Sequence, residues 1–466
     1  EQHGITRERF VLCCTHSHTA PHLEGYAPNL FAVPLDLDEQ AKTAAYTKWL
    51  ADRVVEGIAL AVKDLSPGRM FKGQGSVGFA ANRRVLKDGR WTGFGVNPEG
   101  PVDHSLPVLK VVDADGELRG IVFNYACHCT TLTGNYNNVS GDWAGYAAEY
   151  LEERHAGATA LCTVGCGADA NPEPRGELLM AEAHGRALSL QVNKVLSRGM
   201  RELSRAPVAS FGYAGLPVDR PQRSELRANL DSGTPQVKRH AQKMLALQQR
   251  MGRLPESYPM PIQTWQFADD LTMVFLGGEV VVDYAARLKN ELGPKHVWVT
   301  AYANDVFGYV AAERMREEGG YELDYSMIYY NQHGPWEVGT EEVVIERARQ
   351  ILANPRSEGA LSPEQALEAF HLPEGFDIEL VAAEPLIEDP VNFEFGPDGR
   401  LWVVEMGDYP RGDGDTGGRI KYLEDKDGDG LFDKSTTFVD GLSFPTGVFP
   451  WRYGALVSCA PEIFYA

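Results

Sequence analysis

Phe10-Val-Leu-Cys-Cys-Thr-His-Ser-His-Thr-Ala-Pro-His22 is the stretch on which the reading of the first part of the chain turns. Its first five residues are an apolar run long enough for a buried strand. His16 and His18 follow two residues apart. Alternate residues of a strand face one side, so an extended backbone through Thr15 brings both imidazoles into one space. Pro21 ends the strand, because it has no N–H to give to a ladder. Two histidines at the end of a buried strand suit a metal site or catalysis. They also suit idle, hydrogen-bonded residues at a sheet edge.

Working outward, residues 43–65 place Tyr46, Leu50, Val54, Ile58, Ala61, Val62 and Leu65 on one helical side, and Ser66-Pro-Gly68 stops the helix. Residues 72–82 alternate as a strand, and the Gly-, Asn- and Pro-rich residues 89–104 are expected to be loop. Residues 106–113 and 118–128 read as two strands around the hairpin turn Asp113-Ala-Asp-Gly116. Further strands are expected at 158–165, 208–216, 261–268, 271–276 and 297–301. Helices are expected at 143–153, 177–198, 224–230, 236–251, up to about residue 292, and 341–353.

Strands and helices alternate, so residues 1–353 are expected to form an α/β domain with mixed sheets. A polar linker, 354–371, precedes a region of different composition, 372–466. There, short strands at 376–382, 391–395, 401–405, 420–424 and 436–438 are split by Gly, Asp and Pro. This is an all-β, propeller-like segment, too short to close a propeller of several blades. The abrupt start at Glu1 and the apolar end at Ile463-Phe-Tyr465 suggest a piece of a larger protein.

The chain has 466 residues and a net charge of −21, which argues against a nucleic-acid-binding surface. No run of about eighteen apolar residues is present, so no transmembrane segment is expected. The seven cysteines form neither a CxxC nor a haem-attachment motif and read mostly as small buried hydrophobes; spacing does not decide whether Cys162 and Cys166 pair.

The groups able to do chemistry sit at strand ends: His16 and His18, then His128 after an apolar run, then Glu279 after Gly277-Gly278. Two histidines and a carboxylate around a position open to water make a hydrolytic zinc arrangement. His22, His104, His155 and His240 read as surface or satisfied residues. Asp142 suits a helix N-cap or a partner for a site histidine, and Asp169 is expected to hold the turn Gly165-Cys-Gly-Ala-Asp-Ala-Asn-Pro172.

Several separated blocks carry a resemblance. They are Thr15-His-Ser-His-Thr19, Asn82-Arg83, Val102-Asp103, Phe123-Asn-Tyr-Ala-Cys-His128, Ser140-Gly-Asp-Trp-Ala-Gly-Tyr146, Gly278-Glu279, Asn304-Asp-Val-Phe-Gly-Tyr309 and Gly319-Gly-Tyr-Glu322. Their order and approximate spacing over roughly residues 5–335 resemble the N-terminal catalytic domain of the neutral/alkaline non-lysosomal ceramidase family. The resemblance implies zinc (Zn2+) held by His16, His128, Glu279 and Tyr309, with His18, Arg83 and Tyr321 holding or polarising the substrate. It implies hydrolysis of an N-acyl, ceramide-like amide by a metal-activated water, and a small-molecule or lipid-like substrate in an exported protein. The sequence departs from the family pattern where Asn171 stands in place of a serine; an amide can donate a hydrogen bond but cannot act as a nucleophile. The family's opening strands and its immunoglobulin-like C-terminal domain are also missing.

The segment 372–466 instead resembles the start of a sorbosone-dehydrogenase-like β-propeller. Within it, Asp425, Asp427 and Asp429 fit the first half of a calcium (Ca2+) loop, although Thr436 rather than Glu stands at the twelfth position. Two other functions stay open: a non-catalytic binding or scaffold module, or an accessory domain of a propeller-type dehydrogenase.

Overall fold

Strands buried on both faces build the first unit. In Ser105–Asp113, Leu106 and Val108 belong to one apolar cluster and Leu109 to another; in Leu118–Tyr125, Ile121, Phe123 and Tyr125 lie in the first and Val122 packs on the second. Such strands need covering layers on both sides. The computed structural model describes residues 5–251, 253–294, 296–355, 375–407 and 417–466. The chain divides into two units, Glu1–Gly359 and Ala360–Ala466.

In the first unit, a five-stranded sheet runs in the order Thr159–Val164, Leu118–Tyr125, Ser105–Asp113, Gly68–Ser76, Arg201–Glu202. Only its first pair is parallel. Helices Asp142–Arg154 and Leu178–Leu196 send Trp143, Ala147, Leu151, Leu188 and Val192 into the first cluster. The second cluster joins Leu109 and Val122 to Met273, Phe275 and Trp298 of a four-stranded sheet: Val297–Thr300, Leu271–Leu276, Ser257–Phe267 and Val208–Pro217. Helices Val282–Leu292 and Thr340–Ala353 cover that sheet's other face through Ala285, Leu288, Val344 and Ala348. The result is a mixed α/β stack of helices, sheet, sheet and helices. Each large apolar side chain buried in it contributes about 1.5–3 kcal/mol.

The hairpin expected at Asp113-Gly116 is present. Asp113 Oδ1 accepts from the N–H groups of Asp115 and Glu117, and Gly116 has φ +90°. Elsewhere the structure corrects the sequence reading. The expected strand 72–82 breaks into Gly68–Ser76 and Ala80–Lys87, and the expected loop 89–104 contains a strand, Arg90–Asn97. That strand pairs with Ala80–Lys87 around Asp88 and Gly89, both with positive φ, as a two-residue Asp-Gly turn permits. Its glycines hid it: a Cβ on Gly95 would lie 2.7 Å from Val85 Cγ2, so close strand packing requires glycine there. The helix expected at 43–65 runs Leu37–Lys63, started by a capping box between Asp36 and Glu39, and none of its residues is fully buried.

The opening stretch is not a buried strand. Leu12 and Cys14 are exposed, and among residues 10–18 only single bridges form, Cys13 to Ala303 and Ser17 to Cys129. Its backbone bonds to another loop instead: Asn304 N–H donates to Leu12 O at 2.7 Å and Cys14 N–H to Tyr302 O at 3.1 Å. His16 has φ +55°, in the left-handed region, so strand alternation does not govern where the two imidazoles point.

In the second unit, Pro390–Phe395, Leu401–Met406, Gly418–Glu424 and Lys434–Leu442 form a four-stranded antiparallel meander. Pro445–Trp451, Gly454–Cys459 and Glu462–Tyr465 form a second antiparallel sheet. The expected strand at 376–382 is irregular, and no closed propeller is formed by the described residues. All seven cysteines are free, Cys162 and Cys166 included. Among the described residues, no helix is long and apolar enough to cross a membrane.

Candidate functional site

Five stretches far apart in sequence meet in the first unit. Glu279–Val280 and Tyr309–Val310 pair in parallel with Glu279 opposite Tyr309, so their side chains leave the pair on the same side. His128 lies just beyond the strand Leu118–Tyr125, and its N–H donates to Ala170 O at 3.0 Å. Arg83 lies in Ala80–Lys87, which pairs with Ala170–Pro172. The loop carrying His16 and His18 joins them through the His18 N–H bond to Cys129 O at 3.3 Å.

The side chains converge. His16 Nε2 lies 3.1 Å and His128 Nε2 3.2 Å from Glu279 Oε2, and His18 Nε2 lies 3.0 Å from His16 Nε2. Tyr309 OH is 3.4 Å from His128 Nε2 and accepts from an Arg83 guanidinium nitrogen at 3.3 Å. The Tyr321 ring lies edge-on to Tyr309, with centroids 5.3 Å apart, and the Arg83 guanidinium carbon is 5.8 Å from the Tyr321 centroid. The structure therefore brings together His16, His18, His128, Glu279, Tyr309, Arg83 and Tyr321. Asn171 lies in Ala170–Pro172, beside Ala170, buried, with its Oδ1 accepting from Thr130 Oγ1 at 3.1 Å.

The electrostatics suit cation ligation. Burial would raise the Glu279 carboxyl, but His16 and His128 outweigh it and hold the group well below the usual carboxylate range. His128 is pushed down to about 4 by burial and by Arg83. His18, the exposed member, is pushed down to about 3 by desolvation and by its two histidine neighbours. Burial also works against the Arg83 charge, but Tyr309, Glu322 and Glu279 together hold it strongly protonated. His128 Nδ1–H donates to Gly167 O at 2.9 Å, which leaves the Nε2 lone pair free to face Glu279.

His16, His18 and His128 form a group able to hold a metal ion. Neighbouring donor atoms around zinc bound at about 2.0–2.1 Å lie about 3.3 Å apart in a tetrahedron. The spacings of 3.0, 3.1, 3.2 and 3.4 Å fit that arrangement. His18 thus stands within the donor group as well as at its exposed side. In the second unit, the acidic group is Asp425, Asp427 and Asp433; Asp429, expected among them, instead accepts from Leu431 N–H at 2.8 Å. Of the four histidines read as surface or satisfied, His104 bonds with Ala80 O, His155 with Asn193 and His240 with Gln332 O, while His22 lies against the rings of Tyr26 and Phe31. Asp142 does not orient a site histidine. It is the first helical residue, and its carboxylate accepts from Leu132 N–H and Trp143 N–H.

Sequence reading missed three tyrosines and assigned no role to one carboxylate. Tyr330 donates to Glu279 Oε1, Tyr302 donates to Glu279 Oε2 at 3.4 Å, and Tyr26 OH lies 3.4 Å from His16 Nδ1. Glu322, fully buried, accepts from Arg83 at 2.9 Å and pairs with Arg84. No spacing signals these tyrosines, whereas Glu322 ends the quoted block Gly319-Gly-Tyr-Glu322. Behind the tyrosines lies a cavity of about 590 Å³, with Leu12, Met244, Leu247, Val306 and Phe307 among its apolar walls.

Comparison with known proteins agrees with the resemblance read from the sequence. The model of the neutral/alkaline non-lysosomal ceramidase N-terminal domain matches residues 3–174, and a domain of unknown function (DUF7133) matches residues 362–466. The neutral ceramidase of Pseudomonas aeruginosa is 32% identical over 151 residues, covering 32% of this chain and 22% of that protein. Neutral ceramidase A of Dictyostelium discoideum is 28% identical over 163 residues, covering 32% of this chain and 21% of that protein. The aligned part thus spans about a fifth of either relative. Among solved structures, a ceramidase complexed with C2 superposes with a TM-score of 0.54 at 17% identity, covering 94% of this chain and 77% of that one. The neutral ceramidase from Pseudomonas aeruginosa gives 0.55 at 16% identity, covering 97% and 79%. At these identities the superpositions bear on the fold alone, a mixed α/β architecture shared with ceramidases.

Proposed function

We propose that the first unit is a zinc-dependent amidohydrolase acting on an N-acyl, ceramide-like amide. The observation that carries this reading is the convergence of His16 Nε2, His128 Nε2, Glu279 Oε2 and Tyr309 OH at spacings of 3.1–3.4 Å, with His128 held in the tautomer that offers Nε2. His16, His128, Glu279 and Tyr309 would hold the ion. When bound, zinc acidifies a water and polarises the amide carbonyl.

The remaining residues have roles that follow from their positions. Arg83, fixed by Glu322, presents a guanidinium to the carbonyl oxygen as negative charge develops there, with Tyr321 as a second donor. His18, at the exposed side and held neutral, would hold or polarise the substrate carbonyl as a hydrogen-bond donor. Asn171 is buried beside the site and offers an amide donor in place of a hydroxyl. The half-open pocket that Tyr302 and Tyr330 line, with Leu12, Met244, Leu247, Val306 and Phe307 on its apolar side and Lys243 and Asp305 on its polar side, suits an alkyl arm of the substrate with a polar end.

A binding module without catalysis is the second reading, and Asn171 is the residue that favours it. The second unit's four-stranded meander is consistent with a first propeller blade, and an exported location follows from the resemblance alone. Zinc content and hydrolysis of a panel of N-acyl amides, measured for the wild type, His128→Ala and Glu279→Ala, test the main reading. It predicts about one zinc per chain, lost in both variants together with hydrolysis. A wild type that takes up no zinc and cleaves no amide would sink it; zinc uptake without cleavage would favour the binding module.

A further inference from the structure

The turn Gly165–Pro172 bonds to the buried segments that carry Arg83, His128 and Glu279, and the Asp169 carboxylate ties the first and the last of them. Asp169 is fully buried. Its Oδ1 accepts from Val282 N–H at 3.0 Å, at the start of the helix that follows Glu279. Its Oδ2 accepts from Asn82 Nδ2 at 3.1 Å and from Arg314 at 3.2 Å, and its backbone carbonyl accepts from Arg83 N–H at 2.8 Å. Around it, Gly167 O accepts from His128 Nδ1–H at 2.9 Å and from Ala170 N–H at 3.0 Å, Ala170 O accepts from His128 N–H at 3.0 Å, and Ala168 N–H donates to Val280 O at 3.2 Å. The turn is pressed against the chain before His128: a Cβ on Gly167 would lie 2.4 Å from Cys127 N.

We propose that Asp169 is a positioning residue that sets the mutual geometry of Arg83, His128 and Glu279, and through it the affinity of the metal centre. It touches neither substrate nor any metal-facing atom. It acts by holding the Asn82–Arg83 backbone, the turn that fixes the His128 tautomer, and the start of the helix after Glu279 in one hydrogen-bonded set. A neutral side chain would lose this. Asparagine can keep the bond from Val282 N–H, but its amide nitrogen then faces the donors of Asn82 and Arg314. Desolvation and Asp283 push Asp169 up to about 6, while the Val282 N–H and Arg314 favour its charged form.

The metal arm of this inference rests on the reading above, whereas the tautomer arm does not. Zinc affinity of Asp169→Asn, with folding checked by near-UV circular dichroism, is expected to fall about 10–100-fold. In the metal-free protein, ¹⁵N spectra of the histidine rings are expected to show His128 in a single Nδ1–H tautomer for the wild type and a mixture for Asp169→Asn. If the variant fails to fold, Arg314→Gln removes one partner from the accessible side and is expected to weaken zinc about threefold. Unchanged affinity and an unchanged His128 tautomer in a folded variant would overturn the proposal. Should the wild type take up no zinc, the metal reading falls, and the ring spectra alone decide whether Asp169 positions His128.

Discussion

The two walls of the histidine–carboxylate cluster are built by opposite means. On one, His128, Glu279, Tyr309 and Arg83 come from strands or strand ends, are buried, and are tied by backbone pairing in defined register. On the other, His16 and His18 come from an irregular loop held by bridges to residues 129 and 303. There His16, Tyr302 and Asn304 all have left-handed φ without being glycine, a strain of order 1–3 kcal/mol each that the surroundings must sustain. The difference teaches a division of labour. The buried wall fixes donors in place, and the loop wall supplies an exposed imidazole that can meet solvent and substrate.

The largest expected effect separates the walls by stability. Glu322→Ala leaves Arg83 and Arg84 buried beside each other without the carboxylate they share, and should cost about 3–5 kcal/mol of folding stability. His18→Ala removes an exposed ring whose side chain lies within hydrogen-bond distance of His16, and should cost about 1 kcal/mol or less while abolishing most turnover. Thermal or urea unfolding of the two variants checks this. Equal losses would mean that the loop wall is as structurally integrated as the buried one.

This contrast also explains what the sequence revealed. The buried wall was legible: apolar strands ending in His128 and Glu279 imply polar groups at the mouth of a core, and the hairpin at Asp113-Gly116 follows from its turn chemistry. The loop wall was half legible. The histidine pair stood out, but the apolar run before it reads as a strand, and local pattern cannot show that Leu12 and Cys14 bond to residues 302–304, almost three hundred positions away. Glycine-rich composition hid the strand Arg90–Asn97 for a related reason, since there glycine serves close packing rather than a loop. Tyr26, Tyr302 and Tyr330 were invisible, because a tyrosine that bonds a site carboxylate or imidazole looks like any core aromatic until the fold is known.

A smaller effect comes from pH, to which the two walls should respond with opposite sign. Asp169 faces Asp283, Glu322 and Arg314, and its folded-state value of about 6 lies above the ordinary 3.8. Between those values the native state holds a proton that the unfolded chain has released. Stability from this group therefore falls as pH rises through that window and is level above it. The difference in unfolding free energy between wild type and Asp169→Asn should change by about 1–3 kcal/mol between pH 4 and 6.5. His18→Ala should show a slope of the opposite sign relative to wild type, because below about 6.5 the unfolded imidazole takes up a proton that the folded His18, pushed down to about 3, does not. A flat difference for Asp169→Asn would mean that Arg314 neutralises the carboxylate more fully than the desolvation argument allows.

The smallest effect tests where the reactive group sits. Asn171 holds Thr130 from within the buried wall. Asn171→Ser shortens the side chain but keeps a hydroxyl able to bond, so the stability change should be about 1 kcal/mol or less. If a metal-activated water does the chemistry and His18 holds the substrate, turnover should change by less than about tenfold, since neither group is altered. A gain of a hundredfold or more would place the decisive hydroxyl at position 171. The buried wall would then be the reactive one, and the loop wall merely its cover.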